Sequence, residues 1–389
     1  ARGCKIRSES SSSDDASSKG SSARTMSERT HTFEFDWWLL TIVMAICFVG
    51  LLEIYSSTHG SALHGMQWKQ LTWIGIGFGG MLILSRIDYN AILDQSPLLY
   101  MVGLAALLLV LAVGHTRFGA RRWIVVGGVV LQVSELAKLI IIIVLARYLG
   151  EVRTERLTLA DLAKIGLLVG VPAGLILLQP DLGTAMVLIP VAIVGAFLAG
   201  INWKHAVAVL ALGALVAGVG WNGHFLKPYQ KQRLATFVHP EESPRGAGYQ
   251  ILQSEIAVGS GGFWGKGFGK GSQNQLGFVP VRYSDFILAA LAEEQGFFGV
   301  LICMLLYLAL LLRLVDNAQK AKDRAGMYLV MGVAAILAFH VVVNAGMVIG
   351  YMPVTGIPLP FMSYGGSVTI FGFLALGLVM NVRTKRFVN

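Results

Sequence analysis

Charge is the scarce ingredient of this chain. Only 14% of its 389 residues are Asp, Glu, Lys or Arg, against about 25% in a soluble domain, which excludes an ordinary water-soluble globule. Cysteine is scarce too. Of three, Cys47 and Cys303 lie inside apolar runs and Cys4 lies near the N-terminus, so no disulfide framework is expected. The eight histidines are scattered. No His/Cys/acid set has zinc spacing, and no Ser-His-Asp arrangement is legible. Strict alternation of apolar and polar residues is also missing. Runs such as 136–149 are almost wholly apolar, which excludes the alternating strands of a membrane barrel.

What is present in excess is apolar surface: 55% hydrophobic residues and a mean hydropathy of +0.65. Runs of about twenty apolar residues, enough to cross a bilayer as a helix, recur along most of the chain. Ten spans are expected, at 37–55, 67–84, 97–114, 129–149, 162–179, 183–201, 205–222, 286–312, 327–349 and 367–382. The fold class is therefore an all-α polytopic membrane protein of about ten transmembrane helices, with a large extracytoplasmic loop, 223–284, between spans 7 and 8. Residues 1–36 are Ser-rich with no apolar run and read as a disordered cytoplasmic tail. Residues 37–385 form the membrane domain, and 386–389 a cytoplasmic C-terminus.

The net charge of +9 is explained by topology, with no nucleic acid required. An even span count puts both termini on one side. With long segments set aside, the short loops on that side hold 13 Lys and Arg against 4 on the other, and the richer side is the cytoplasmic one. The 223–284 loop then faces outward. It is basic and carries Phe225, Tyr229, Phe237, Tyr249, Phe263, Trp264 and Phe268, a composition drawn to a membrane interface. Tyr249, Leu252 and Ile256 recur at helical spacing, so a short interfacial helix is expected over 247–258. Small residues on the 327–349 span, Gly332, Ala335 and Ala338, are candidate helix-contact positions for a membrane partner.

Where this loop meets span 8 stands Asp285, in Val281-Arg-Tyr-Ser-Asp285-Phe-Ile. A carboxylate there can accept a proton from a substrate held at the membrane surface. It can equally be a helix N-cap, a role Asp favours. The Gly-rich run 259–271 fails the nucleotide-loop templates: Lys270 is followed by Gly271, not Ser or Thr, and no strand precedes it. Its Lys266 and Lys270 remain candidates for phosphate contact. Two adjacent arginines, Arg121 and Arg122, stand beside Trp123 at the outer interface and form a candidate anion site; Arg282 is a separate basic candidate. Glu135 and Lys138 share a helix face at the edge of a span, where ionisable residues face a cavity or a partner. Asp181 lies in a Gln-Pro-Asp-Leu-Gly break between spans. Ser363, Gly365 and Gly366 lie in a second broken segment before the last span. Glu293, two turns past Asp285, falls near the same helix face.

In this order and on these spans, several motifs are similar to those of the shape, elongation, division and sporulation (SEDS) family. They are Gly119-Ala-Arg-Arg-Trp123-Ile, Ser134-Glu-Leu-Ala-Lys138, Gln179-Pro-Asp-Leu-Gly-Thr184, Gly248-Tyr-Gln-Ile-Leu-Gln-Ser254, Ala257-Val-Gly-Ser-Gly-Gly262, Asp285-Phe-Ile, Glu293-Glu-Gln-Gly296 and the 358–367 run. The resemblance covers about 37–385, and Met352-Pro-Val-Thr-Gly-Ile-Pro is closer to the elongation branch. The chain departs from the family pattern at Val133, Val281, Tyr283-Ser284 and Val368, none of which removes the central acid.

The resemblance implies a peptidoglycan glycosyltransferase of the bacterial cytoplasmic membrane. It would polymerise lipid II with Asp285 as the essential acid, and work with a class B penicillin-binding protein and the elongation machinery. A sugar hydroxyl is a weak nucleophile and needs a general base. The departing lipid pyrophosphate needs positive charge, supplied by Arg122, Lys138, Lys266, Lys270 and Arg282, or a divalent cation, Mg or Mn. No organic cofactor is expected. Two other classes stay open from the sequence: a transporter or lipid flippase, because a broken segment occurs in each half, and a non-catalytic envelope scaffold.

Overall fold

The computed structural model describes residues 35–59, 63–117, 120–126, 129–152, 156–222, 233, 235–237 and 246–385. Residues 1–34 of the expected tail, most of 223–245 and the last four residues lie outside these. Phe35 and Asp36 are described, and Asp36 is buried at the start of the first helix, which corrects the tail's expected end. Every one of the ten apolar segments is a helix. They are α1 (Trp37–Thr58), α2 (Met66–Leu84), α4 (Ser96–Val113), α5 (Val133–Glu151), α6 (Leu159–Leu178), α7 (Leu182–Leu198), α8 (Trp203–Asn222), α11 (Ile287–Gln319), α12 (Arg324–Val348) and α13 (Gly366–Thr384). Six of them meet strict length and apolarity limits for a membrane span: α1, α4, α6, α11, α12 and α13. Short helices α3 (Tyr89–Asp94), α9 (Ala247–Gly261) and α10 (Ser272–Gln275) lie between spans.

One expected span needs correction at its start. Residues 129–132 are not helical; they form β3 (Val129–Gln132), the last strand of an antiparallel sheet with β1 (His115–Arg117) and β2 (Ala120–Val126). Apolar and β-branched, Val129-Val-Leu reads as membrane helix by hydropathy, yet its backbone pairs with β2, setting Trp123 against Gln132. The expected interfacial helix exists as α9. Its buried face is Ile251, Ser254 and Ala257, packed towards α11, whereas Leu252 and Ile256 are exposed. The stripe read from the sequence is thus the outward face.

The core is organised on α12, which packs against α5, α7 and α11. A methyl added at Gly332 would lie 2.9 Å from the Ile142 side chain, and Ala335 is buried. Gly332 and Ala335 therefore face the protein's own helices, which corrects the expectation that they meet a separate partner. Small residues allow close approach whichever helix is opposite.

At one end of the bundle Asp36 caps α1, accepting from Leu39 N at 3.2 Å. The same carboxylate receives both Nε and Nη2 of Arg313, Nδ2 of Asn317 and Nη1 of Arg383. The starts and ends of the described chain thus meet on one side, as an even number of crossings requires. Burial would raise the Asp36 pKa, but hydrogen bonds from Arg313, Asn317 and Leu39 and the Arg383 charge hold it below its ordinary value. Because the folded pKa is lowered, the contribution is complete at neutral pH and fades as pH falls below about 4. Asp36→Ala should cost about 2–4 kcal/mol, and the difference from wild type in detergent melting should shrink towards pH 3.

Candidate active site

The opposite end of the bundle gathers the motif residues. Asp285 lies in a turn just before α11. It does not cap that helix: the capping position is Phe286, and no side chain caps the first turn. The carboxylate instead accepts from Ser284 Oγ at 3.0 Å and is left half-buried. Asn344 of α12 fixes the turn, donating through Nδ2 to the carbonyls of Asp285 and Ile357, each at 2.8 Å. Segment 357–365 closes the other side. Ser363 Oγ donates to Ser284 O at 2.7 Å and accepts from Leu359 N, and Tyr364 N donates to Tyr283 O. A Cβ at Gly356 would stand 3.5 Å from Asp285 Oδ2, and its positive φ of 72° is the left-handed backbone that favours glycine.

Burial pushes the Asp285 pKa up. The Ser284 hydrogen bond and the charges of Arg233 and Arg122 pull against that rise without cancelling it. Arg233 Nη1 reaches Thr355 O at 3.4 Å, one residue before Gly356. Arg122 projects from β2 beside Trp123, its Cζ 5.9 Å from the ring centroid. Its Nη1 is 3.5 Å from Asp181 Oδ1, and its Nη2 donates to Pro180 O. Asp181 caps α7. A methyl at Gly183 would come within 2.7 Å of Thr355 O, so the start of α7 packs on the segment that borders Asp285.

The other candidates are distributed unevenly. Gly365 N donates to Gln70 Oε1 at 3.1 Å, and a Cβ at Gly366 would strike the Trp73 ring at 2.8 Å, so both tie the start of α13 to α2. Arg282 leans away towards the end of α1, donating through Nε to Ser57 O at 2.9 Å; burial lowers its pKa. Lys138 is fully buried. Its Nζ stands 2.8 Å from Glu135 Oε2, 3.3 Å from His340 Nε2 and 4.6 Å from the Phe371 ring centroid. His340 Nδ1 faces Pro358 O at 2.9 Å, so the pair buttresses the 357–365 segment from behind.

Lys266 and Glu293 form a separate cluster. Lys266 Nζ is 2.6 Å from Glu293 Oε1, and Glu293 also receives Gln273 N and Asn274 N, each at 2.9 Å. Adjacent Glu294 accepts from Ser56 Oγ, Gly269 N and Asn274 Nδ2. These two acids pin the Gly-rich loop to α11, which breaks its helical geometry at Gly296, φ 66°. Lys270 is exposed on that loop.

Four contributors were not singled out from the sequence: Arg233, Gln132, Asn344 and His340. Asn344 and His340 carried a signal, since polar side chains inside an apolar span are there for a partner. Gln132 directly precedes α5. Arg233 lies in a polar segment without periodicity and carried none.

The model of the FtsW, RodA and SpoVE family, described as cell cycle protein, matches residues 36–387. The peptidoglycan glycosyltransferase MrdB of Escherichia coli is 36% identical, over 93% of this chain and 96% of its own length. The peptidoglycan glycosyltransferase RodA of Treponema pallidum is 33% identical, over 91% and 98%. Among solved structures, the rod shape determining protein RodA of Thermus thermophilus is similar with a TM-score of 0.69 at 31% identity, covering 92% of this chain and 99% of that one. A chain from a peptidoglycan synthase complex, solved for how it coordinates polymerization and crosslinking, gives a TM-score of 0.79 at 36% identity, with coverage of 92% and 99%. With its membrane domain matched almost end to end, this chain belongs to the FtsW, RodA and SpoVE family of cell cycle proteins.

Proposed function

We propose that this chain is a peptidoglycan glycosyltransferase that polymerises lipid II into glycan strands, with Asp285 as general base. The observation that carries the reading is that Asp285 is spared the cap role. Its carboxylate stands half-buried with Ser284 as its hydrogen-bond donor and two arginines within electrostatic reach. The 4-hydroxyl of one sugar attacks the anomeric carbon of another with inversion. Its proton passes to Asp285 as the new C–O bond forms, and the bond to the lipid pyrophosphate breaks with its electron pair leaving on oxygen. Arg122 and Arg233 offset that developing charge. The leaving group needs no strong acid, so a second carboxylate of the glycosidase type is unnecessary.

Among the described residues no three His, Cys, Asp or Glu come together to hold a metal ion. A protein-built cation cage does not fit these residues, and no step is assigned to one. Mg or Mn would arrive on the pyrophosphate, where one or two carboxylates suffice, and would supply charge neutralisation.

The partner in this reading is a crosslinking transpeptidase, a class B penicillin-binding protein of the elongation machinery. It is supported by the likeness to a chain from a synthase complex. The reading is tested with purified protein and lipid II, with and without that transpeptidase, by following the length of glycan polymer.

The orientation proposed is cytoplasmic termini with the Asp285 end outward, on the bias of Lys and Arg in the short loops. Ser272 and Lys322 are both exposed and lie at opposite ends of α11. Ser272→Cys should react with a membrane-impermeant thiol reagent in spheroplasts and Lys322→Cys should not. The reverse labelling would remove both the topology and the outward-facing chemistry.

A further inference from the structure

Arg122 is one of two cations whose charge acts on Asp285, and its anchor is close by: a Cβ at Gly183, two residues past Asp181, would lie 2.7 Å from Thr355 O, and one at the adjoining Gly356 would lie 3.5 Å from Asp285 Oδ2. A base locked to a guanidinium accepts protons poorly, and an arginine locked to a carboxylate grips a phosphate poorly. The structure contains a third group that prevents this. Asp181 is 4% exposed, and its two oxygens receive three hydrogen-bond donors and one ion-pair partner. Oδ1 accepts from Thr184 N at 3.3 Å and faces Arg122 Nη1 at 3.5 Å; Oδ2 accepts from Gln132 Nε2 and Thr184 Oγ1, each at 2.9 Å.

Gln132 is anchored in turn, its backbone N donating to Ser367 Oγ at 3.0 Å. The carboxylate is thereby clamped from the β3 end, from α7 and, through Gln132, from α13. Arg122 is held on the α6–α7 turn by this carboxylate and the Pro180 carbonyl. Of the five N–H donors of a guanidinium, one is spent on Pro180 O, and a second nitrogen faces Asp181 as an ion pair. Nε is buried with no hydrogen-bond partner, while the side chain as a whole keeps 22% of its surface exposed.

We infer that Asp181 is a positioning residue: it holds the Arg122 guanidinium back from Asp285, keeping the base free and presenting the remaining Arg122 donors to the pyrophosphate of the lipid-linked substrate. This rests on the glycosyltransferase reading above. A helix cap alone would require only the Thr184 contact. The aligned guanidinium, the Gln132 amide and the tie to α13 serve the arginine. The charges acting on Asp285 are Arg233 and Arg122; those facing Asp181 are Arg122 and, as a neutral donor, Gln132.

The test is a double-mutant cycle read as kcat/KM against pH, on full-length protein with lipid II. Asp181→Asn keeps size and cap, since Asn caps well, but releases Arg122. It should lower kcat/KM by up to about 10²-fold, as misplacement of a substrate-holding group does, and move the acidic limb of the profile to lower pH, because Arg122 then settles on Asp285. Arg122→Gln should move that limb to higher pH. In the Arg122→Gln background, Asp181→Asn should change neither rate nor limb.

Equal losses in both backgrounds, or a limb that does not move, would overturn the inference and leave Asp181 a cap. If Asp181→Asn melts below wild type, Gln132→Leu takes its place in the cycle. It leaves the charge and the cap intact, and additivity with Arg122→Gln again refutes the proposal. Wild-type polymerisation by Asp285→Asn would instead sink the parent reading, whatever the cycle returns.

Discussion

Asp285→Asn lowers glycan polymerisation from lipid II by about 10²–10⁴-fold, the usual loss when a general base is removed. The variant keeps the size of the side chain, and its amide can still meet Ser284 Oγ, so the turn held by Asn344 and Ser363 stays in place. Melting in detergent should match wild type. Since α11 starts without a side-chain cap, no helix is destabilised to confuse the result. The pH dependence has a definite sign. Burial raises the Asp285 pKa, so the acidic limb of kcat/KM should lie above the ordinary carboxylate range. Arg233→Gln should push it higher still, because a cation that favoured the carboxylate is gone. Near-normal polymer from equally folded Asp285→Asn protein would refute the catalytic role.

Lys138→Met should unfold the protein far more readily than any change at Lys266 or Lys270. Lys138 is fully buried and Glu135 is 3% exposed, so removing the ammonium strands a carboxylate in the interior. Breaking one partner of a buried pair costs about 3–5 kcal/mol. Glu135→Gln/Lys138→Met removes both charges and should recover most of that loss. The single variant should also polymerise poorly where it still folds. Lys138 reaches Pro358 O through His340, and that segment borders the Asp285 turn. Thermal melts of the single and double variants, followed by polymer assays of the folded fraction, check both statements. A single variant as stable as wild type would show that Glu135 is not committed to Lys138.

Gln179-Pro-Asp-Leu-Gly and the 358–367 run were legible as breaks because Pro and Gly interrupt apolar segments. That both lie beside Asp285 is a tertiary fact: Gly183 meets Thr355, and Ser363 meets Ser284. Glu293 illustrates the limit of periodicity. Helical spacing aligned it with Asp285, but Asp285 precedes the helix and Glu293 turned to the Gly-rich loop. Lys266 followed it there, becoming a structural ion pair beside a loop that composition alone offered to phosphate.

Hydropathy by itself located an apolar helix at each of the ten expected segments, six of which meet strict limits for a membrane span, because twenty apolar residues have no other favourable environment and the bilayer fixes that length. It failed at 129–132, which pair as a strand. Hydropathy and charge together also picked out Asp285, since an acid at that depth has few reasons to be there. Only the tertiary structure decided which face of each helix meets protein. Lipid tails and neighbouring helices are equally apolar, so nothing in its composition marked Gly332 as facing Ile142 or Leu252 as facing outward. The fold alone likewise paired each ionisable group. Arg122 with Asp181 and Asp36 with Arg313 and Arg383 are contacts across 59, 277 and 347 residues, where spacing carries no information and the meeting of helix ends carries all of it.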